Sequence, residues 1–267
     1  MGLLEALILG IIQGLTEFLP VSSSGHIELG KEILNVHVKD PLLFSIVVHG
    51  ATALSTLVVF RKDIFSIIKE LFAFKWNEGT SYSFKIILSM IPVGIVGVFL
   101  EDKIESFFEG QILLVGCMLL ITGVLLYLTT RAKEKTGEVT FKNAGIVGLA
   151  QAIAILPGIS RSGTTIAIAL LLGINREKAA RFSFLMVLPP ILGAVALKVK
   201  DYLEVEHTSS TESIGNLALI VGFIAAFISG LIACQWMIKI VKKAKLQHFA
   251  YYCFFVGTIA IIWKLMV

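Results

Sequence analysis

The sequence predicts an all-α polytopic membrane protein with an inverted-topology repeat. We expect each half to contain one re-entrant helix–loop–helix and three transmembrane helices, so that six helices span the membrane. Three observations lead to this prediction. The chain is very apolar, two of its stretches carry polar, helix-breaking motifs between apolar arms, and these two stretches match each other half a chain apart.

The composition indicates a membrane as the solvent of the chain. Of its 267 residues, 56% are hydrophobic and 16% are charged, and the mean hydropathy is +0.87. A soluble domain carries about 25% charged residues. Apolar runs fill most of the chain, so we expect one integral membrane domain over residues 1–267. The net charge of +4 is no evidence for an anionic partner, because membrane insertion itself collects Lys and Arg in cytoplasmic loops.

Six apolar runs are long enough to cross a hydrocarbon core of about 30 Å as helices. Charged or turn-forming residues bound each of them. The runs are residues 43–60, 84–100, 112–130, 181–199, 216–238 and 248–266. The stretch 61–85 mixes aromatic and aliphatic residues with Lys and Arg, which predicts an amphipathic helix on the membrane surface.

Residues 4–34 and 144–173 have apolar ends and polar middles. Their middles read Phe18-Leu-Pro-Val-Ser-Ser-Ser-Gly-His26 and Leu156-Pro-Gly-Ile-Ser-Arg-Ser-Gly-Thr164. Pro, Gly and consecutive hydroxyls break a helix, and each half is too short to span alone. We therefore predict two re-entrant hairpins. Irregular backbone at membrane depth requires a polar cavity, so both loops should line one.

The two hairpins match at a constant offset of 138 residues, as from Gly10 to Gly148. This offset divides the chain into a first repeat, residues 1–137, and a second repeat, residues 138–267. An odd number of crossings per half inverts the second copy. The matched positions are Gly10, Gln13, Ser22, Ser24, Gly25, Phe44 and Ser45, opposite Gly148, Gln151, Ser160, Ser162, Gly163, Phe182 and Ser183.

Basic residues predict the orientation. Four basic clusters fall on one side of the proposed topology, and the opposite loops are acidic. The positive-inside rule therefore places both termini and the first hairpin outside, and the second hairpin enters from the cytoplasm. The clusters begin at Arg61, Arg131, Arg176 and Lys239 and include Lys133 and Lys135, and the acidic loops contain Glu101, Asp102, Glu105 and Glu109, and Asp201, Glu204, Glu206 and Glu212.

The first hairpin carries ionisable residues inside the membrane, where they are costly and usually functional. Gln13 and Glu17 share a helix face, and Ser23 and His26 follow on the loop. They offer a hydroxyl nucleophile, a carboxylate for base or metal chemistry, and a histidine for proton transfer. The structural alternative is a helix cap at Glu17, packing at His26 and capping serines. His49 is expected to support the site or to pack.

The second hairpin has the composition of an anion site. Residues 157–165 offer backbone N–H groups at a helix N-terminus, and Arg161 adds a planar fork for two phosphate oxygens. The spacing of a P-loop is missing. As the structural alternative, Arg161 pairs only with Glu17 across the repeat interface. Because the two hairpins are chemically complementary, we expect them to form one site.

A function from a different class also fits the architecture. Inverted repeats with broken helices are usual in secondary transporters, so the chain could move a lipid phosphate or another anion. The combination of Glu17, His26, a serine run and Arg161 favours catalysis, because binding an anion does not need such reactive groups.

The motifs from Gln13 to His26 and from Leu156 to Thr165 resemble the two signatures of the undecaprenyl-diphosphate phosphatase family, the bacitracin-resistance proteins. The resemblance covers nearly the whole chain, including Phe44 to Thr52 and Ala180 to Leu185. It implies a hydrolase of the bacterial plasma membrane with a site facing the extracytoplasmic side. Such an enzyme removes one phosphate from a polyprenyl diphosphate, recycles the lipid carrier of peptidoglycan synthesis and confers bacitracin resistance.

The resemblance also implies residue roles. Glu17, Ser23 and His26 match catalytic positions of the family, and Arg161 matches its phosphate-binding arginine. A divalent cation, Mg²⁺ or Ca²⁺, supports the activity; Glu17 would bind it, with lipid phosphates and water completing its shell. Position 13 is Glu in many members and Gln here. The residues expected at the diphosphate are Gln13, Ser22, Ser24, Ser160, Arg161, Ser162, Gly163, Thr164 and Thr165.

These residues and the resemblance together imply a mechanism. Arg161 and the amides of residues 158–165 hold the diphosphate while a metal near Glu17 neutralises its charge. Ser23 or an activated water attacks the terminal phosphorus, and His26 transfers protons. The choice among Ser23, His26 and water as the nucleophile stays open. The expected partners are the lipid substrate and membrane lipid, without nucleic acid, and a homodimer is left open.

Overall fold

The computed structural model describes residues 1–34, 36, 41–99, 111–132, 136–204, 216–243 and 245–266. These residues form eleven α-helices and one short 3₁₀ turn, Thr129–Arg131. The helices are α1 Leu3–Phe18, α2 Ser23–Leu34, α3 Pro41–Val59, α4 Arg61–Leu71, α5 Glu78–Phe99, α6 Ile112–Leu128, α7 Phe141–Ile153, α8 Arg161–Leu171, α9 Arg176–Glu204, α10 Asn216–Lys242 and α11 Gln247–Met266.

The lengths and apolar character of these helices confirm a polytopic membrane protein. Within the described residues, five helical segments are long and apolar enough to span a bilayer, over residues 78–97, 112–131, 176–197, 216–242 and 247–266. The predicted span 43–60 corresponds to α3. It qualifies as a sixth span only together with α4, from which it bends by 75° at Phe60.

The predicted surface helix is α4, but it is shorter than expected. It ends at Leu71 and buries none of its side chains, and Phe65 on it and Phe72 just after it are exposed. The last part of the predicted stretch 61–85 belongs to α5, which begins at Glu78. The structure does not describe the side chains of the acidic residues used to predict the orientation, nor those of Lys133 and Lys135.

The two predicted hairpins are α1 with α2 and α7 with α8, and each breaks where the motifs indicated. In the first, α1 ends before Pro20, and Ser22 adopts a left-handed backbone with φ 71° that turns the chain into α2. In the second, Gly158 has φ 94°, and Ser160 caps α8 because its Oγ accepts the N–H of Gly163 at 3.0 Å. Prolines, glycines and hydroxyls thus set both loops.

Helices of the first half of the chain pack on helices of the second half, and the equivalent helices make the reciprocal contact. We call this exchanged packing. Helix α1 packs along α10, and the equivalent helix α7 packs along α5. Glycines permit the close approach in both pairs. A Cβ atom on Gly10 would lie 2.5 Å from the carbonyl oxygen of Gly222, and one on Gly148 would lie 2.5 Å from that of Ser89. Equivalent helices also pair with each other, α3 with α9 and α6 with α11.

An aromatic cluster fills the core next to the first hairpin. The ring of Phe184 on α9 lies 6.0 Å from that of Phe18 and 5.9 Å from that of Phe60. Beyond it, Arg181 of α9 forms a salt bridge of 2.6 Å with Asp63 of α4. These contacts fix α9 against the end of α1, where the first polar motif begins.

Candidate active site

The loops of the two hairpins are in direct contact. The Oγ atom of Ser22 accepts the backbone N–H of Gly158 at 3.1 Å, and Ser162 donates its hydroxyl to the carbonyl of Leu19 at 3.3 Å. Thr122 on α6 supports the second loop by donating to the carbonyl of Gly158 at 3.0 Å. The polar motifs of the two halves therefore form one continuous structure.

Glycines at equivalent positions make this contact possible. A Cβ atom on Gly25 would lie 3.2 Å from the Cα atom of Gly158, and one on Gly163 would lie 3.0 Å from the Cβ atom of Pro20. Gly25 and Gly163 are 138 residues apart, and so are Pro20 and Gly158. The contact is thus made twice, once by each glycine against the opposite loop.

Glu17 lies at the centre of the site, at the end of α1. Its Oε1 atom is 3.2 Å from Nη2 of Arg161, and its Oε2 atom accepts the hydroxyl of Ser23 at 2.6 Å and the amide of Gln13 at 3.1 Å. The imidazole of His49 on α3 also interacts electrostatically with this carboxylate. The structure therefore brings Gln13, Glu17, Ser23 and Arg161 together, with His49 in a supporting position.

The Glu17–Arg161 pair has spare capacity for an anion. The side chain of Glu17 is only 8% exposed, whereas that of Arg161 is 31% exposed. A guanidinium has five N–H donors, and the salt bridge with Glu17 uses one nitrogen. The accessible remainder could bind phosphate oxygens while the carboxylate keeps the side chain in place.

His26 has its hydrogen-bond partners outside this cluster. Its Nδ1 atom is 2.8 Å from the carbonyl oxygen of Ser22, and its Nε2 atom is 2.8 Å from the hydroxyl of Tyr252 on α11. Among the residues that the structure describes, no hydrogen bond joins His26 to Glu17, Ser23 or Arg161. Tyr252 was not predicted, because the contact joins residues 226 apart and nothing in the local sequence marks it.

Several predicted anion-binding groups already have partners within the protein. The N–H of Gly158 is bound to Ser22, and the N–H groups of Gly163 and Thr164 are bound to Ser160. Over the described part of the chain, the N–H groups of Arg161 and Ser162 have no partner. They are the first two amides of α8, where the helix dipole favours an anion.

The hydroxyls of the remaining predicted residues, except that of Thr164, have hydrogen-bond partners within the protein. The hydroxyls of Ser22 and Ser24 are 3.3 Å apart, as are those of Ser160 and Ser162. Thr165 donates its hydroxyl to the carbonyl of Arg161 at 2.9 Å. The hydroxyl of Thr164 is buried without a partner among the described residues.

A cavity lined by both polar and apolar side chains adjoins the Glu17–Arg161 pair. Hydroxyls of α3, α8 and α9 contribute to its polar lining, and aromatic and aliphatic side chains form its apolar lining. Its volume of about 20 Å³ has room for about one water molecule, so a bound lipid headgroup requires it to widen. Its lining residues are Glu17, Phe18, Thr52, Thr56, Arg161, Ser162, Thr165, Ser183, Phe184, Val187 and Ile191.

The residues around Glu17 fit a divalent cation only in part. No group of three or more His, Cys, Asp or Glu side chains suitable for a metal occurs in the described part of the chain. However, the Oε1 atom of Gln13 is buried and has no partner there, and amide and carboxylate oxygens are the ligands that Mg²⁺ and Ca²⁺ prefer. Gln13 and Glu17 could therefore contribute two oxygens to a cation held mainly by substrate phosphates.

Fold and site together define a polytopic membrane protein with a carboxylate, an arginine and a serine joined between two helix–loop–helix hairpins. The chain belongs to the bacitracin resistance protein BacA family, whose model matches residues 6–259. It is 57% identical to the undecaprenyl-diphosphatase of Christiangramia forsetii over 98% of both chains. It is 54% identical to that of Bacteroides fragilis over 97% of both, and 52% identical to that of Parabacteroides distasonis over 100% of both.

Proposed function

We infer that this protein is an undecaprenyl-diphosphatase, which hydrolyses a polyprenyl diphosphate to the polyprenyl phosphate and inorganic phosphate. The contact of Glu17 and Ser23 in the first hairpin with Arg161 in the second carries this proposal. Relatives of the same family and the same length bear this name. The protein would act in the bacterial plasma membrane, recycle the lipid carrier of peptidoglycan synthesis and confer bacitracin resistance.

Substrate binding would use the second hairpin. The accessible N–H groups of Arg161 and the two free amides at the start of α8 would bind the diphosphate, and the helix dipole would add to the attraction. The cavity beside Arg161 would widen to take the phosphates next to Ser162 and Thr165, with the first part of the lipid chain against Val187 and Ile191.

Ser23 is the best-placed nucleophile. Its hydroxyl already donates to Oε2 of Glu17 at 2.6 Å, so the carboxylate can take the proton as the serine oxygen attacks the terminal phosphorus. The polyprenyl phosphate leaves, and water then hydrolyses the phosphoserine to release inorganic phosphate. His26 would exchange a proton through Nε2 in one of these steps. Mg²⁺ or Ca²⁺ bound by Glu17 and Gln13 would neutralise phosphate charge when present.

The proposed topology is the inverted repeat with six spans, both termini outside and the active site facing the extracytoplasmic side. The exchanged packing of α1 on α10 and α7 on α5 supports it, because a two-fold relation between the halves requires this exchange. Labelling of single cysteines introduced at Gly2 and Lys243, with an impermeant thiol reagent on intact cells, tests it on a background from which the native cysteines are removed. Labelling of position 243 without position 2 would reverse the orientation.

One assay tests the function directly. The purified protein in detergent should release inorganic phosphate from undecaprenyl diphosphate, and Ser23→Ala should release at least a hundredfold less. Acid-quenched reactions with terminally labelled substrate should trap phosphoserine. A transporter would release no phosphate in detergent, where no second compartment exists, and that result would reject the assignment.

A further inference from the structure

The ring of His26 is held at both nitrogens, and its protonation can be read from the partners. The carbonyl oxygen of Ser22, 2.8 Å from Nδ1, can only accept, so Nδ1 carries the proton. In the neutral ring Nε2 then has only a lone pair. The hydroxyl of Tyr252, 2.8 Å away, therefore donates to Nε2, and the two ring planes lie within 13° of parallel.

From this arrangement we propose that Tyr252 is a positioning residue for His26. Its hydroxyl holds the imidazole in the Nδ1–H tautomer and fixes the rotation of the ring about the Cβ–Cγ bond. The proposal deepens the proposed function, on which its kinetic part rests, because Nε2 is the only nitrogen of the Nδ1–H ring with a lone pair that can take up a proton. No covalent bond changes in this role.

The backbone at Ser22 provides one half of the clamp. Its left-handed φ of 71° is unusual for a residue other than glycine, and the Ser22 carbonyl also accepts the N–H of His26 at 3.1 Å. This half alone restrains only Nδ1, so the ring could rotate away or exchange tautomers. Tyr252 restrains the opposite nitrogen from a different part of the chain.

The neighbours of Tyr252 hold α11 in the required register. The Sγ atom of Cys253 is 3.8 Å from the carbonyl oxygen of Pro20 in the first loop, and the ring of Tyr251 lies 6.4 Å from that of Tyr127 on α6. Tyr251 is thus the same residue type at the preceding position, and its ring is directed to another helix. It provides a matched control for substitutions at Tyr252.

Kinetics of purified variants test whether Tyr252 acts through His26. We expect Tyr252→Phe to lower kcat about tenfold with KM within about twofold, and Tyr251→Phe to leave both within about twofold. In a His26→Ala background, Tyr252→Phe should have no further effect. Full kcat in Tyr252→Phe, or losses that multiply in the double variant, would overturn the proposal.

A second measurement does not depend on activity. ¹⁵N spectra of histidine-labelled protein in detergent, with the His26 signal identified by its loss in His26→Ala, should show the Nδ1–H tautomer in the wild type and in Tyr251→Phe. Tyr252→Phe should give a mixture of tautomers. An unchanged His26 signal would overturn the positioning role even if kcat falls. A changed signal in a protein that releases no phosphate would leave the positioning role standing and reject the proposed function alone.

Discussion

Substitution of Arg161 tests whether its ion pair with Glu17 serves catalysis or only holds the two hairpins together. Removing one member of a buried pair costs about 3–5 kcal/mol, because the remaining charge stays buried. Arg161 is 31% exposed, and Ser23 and Gln13 still donate to Glu17, so we expect Arg161→Ala to lie near the lower end, at about 3 kcal/mol. Activity should fall about a thousandfold, as for other arginines that bind transferring phosphoryl groups.

The double variant Glu17→Gln with Arg161→Leu completes the test. It removes both charges and keeps comparable volume, so the thermal midpoint in detergent should return to within a few degrees of the wild type. Phosphate release should stay at the level of Arg161→Ala. Recovery of activity together with stability would show that the pair only holds the hairpins together, and the phosphate-binding role of Arg161 would then be refuted.

Three further predictions follow from the site. Ser23→Ala should abolish the trapped phosphoserine and reduce kcat at least a hundredfold, whereas the neighbouring Ser24→Ala should retain most of the rate; equal losses would argue for a shared structural role. Gln13→Glu should lower the Mg²⁺ concentration for half-maximal activity several-fold, because a second carboxylate joins the site, and an unchanged titration would place the cation elsewhere. Gly158→Ala should lower the thermal midpoint by several degrees, because φ is 94° and the new Cβ would lie 2.6 Å from the carbonyl oxygen of Val115; an unchanged midpoint would show that the loop can move.

The hairpins could be predicted from the local sequence. The contact between them could be predicted because one carries a carboxylate and the other an arginine. Proline, glycine and consecutive hydroxyls lie within a few residues of one another in each motif, a combination that favours a loop, so both loops could be placed from the sequence. A carboxylate in one buried loop and an arginine in the other compensate each other, so the contact between Glu17 and Arg161 could also be expected. These features depend on residue type more than on the details of tertiary packing.

Two other features depended on information that the hydropathy pattern does not contain. Helix α5 begins six residues before the predicted apolar run, because the side chain of Asn77 accepts the N–H of Thr80 at 2.8 Å and starts the helix in polar sequence. Tyr252 is one of several aromatic residues on an apolar helix, and only the register of α11 against the first loop distinguishes it. Neither the helix cap nor the register changes the average hydropathy.

The two polar motifs, which match at an offset of 138 residues, differ at the position of the carboxylate. Paired hydroxyls persist in both loops, with the same separation of 3.3 Å between Ser22 and Ser24 and between Ser160 and Ser162. The position equivalent to Glu17 is Ile155, so Gln151, equivalent to Gln13, has no carboxylate to bind. Both polar atoms of its buried amide are without partners in the described part of the chain. An unsatisfied buried amide is costly, so Gln151 marks the place where the second motif lacks the carboxylate that the first motif has.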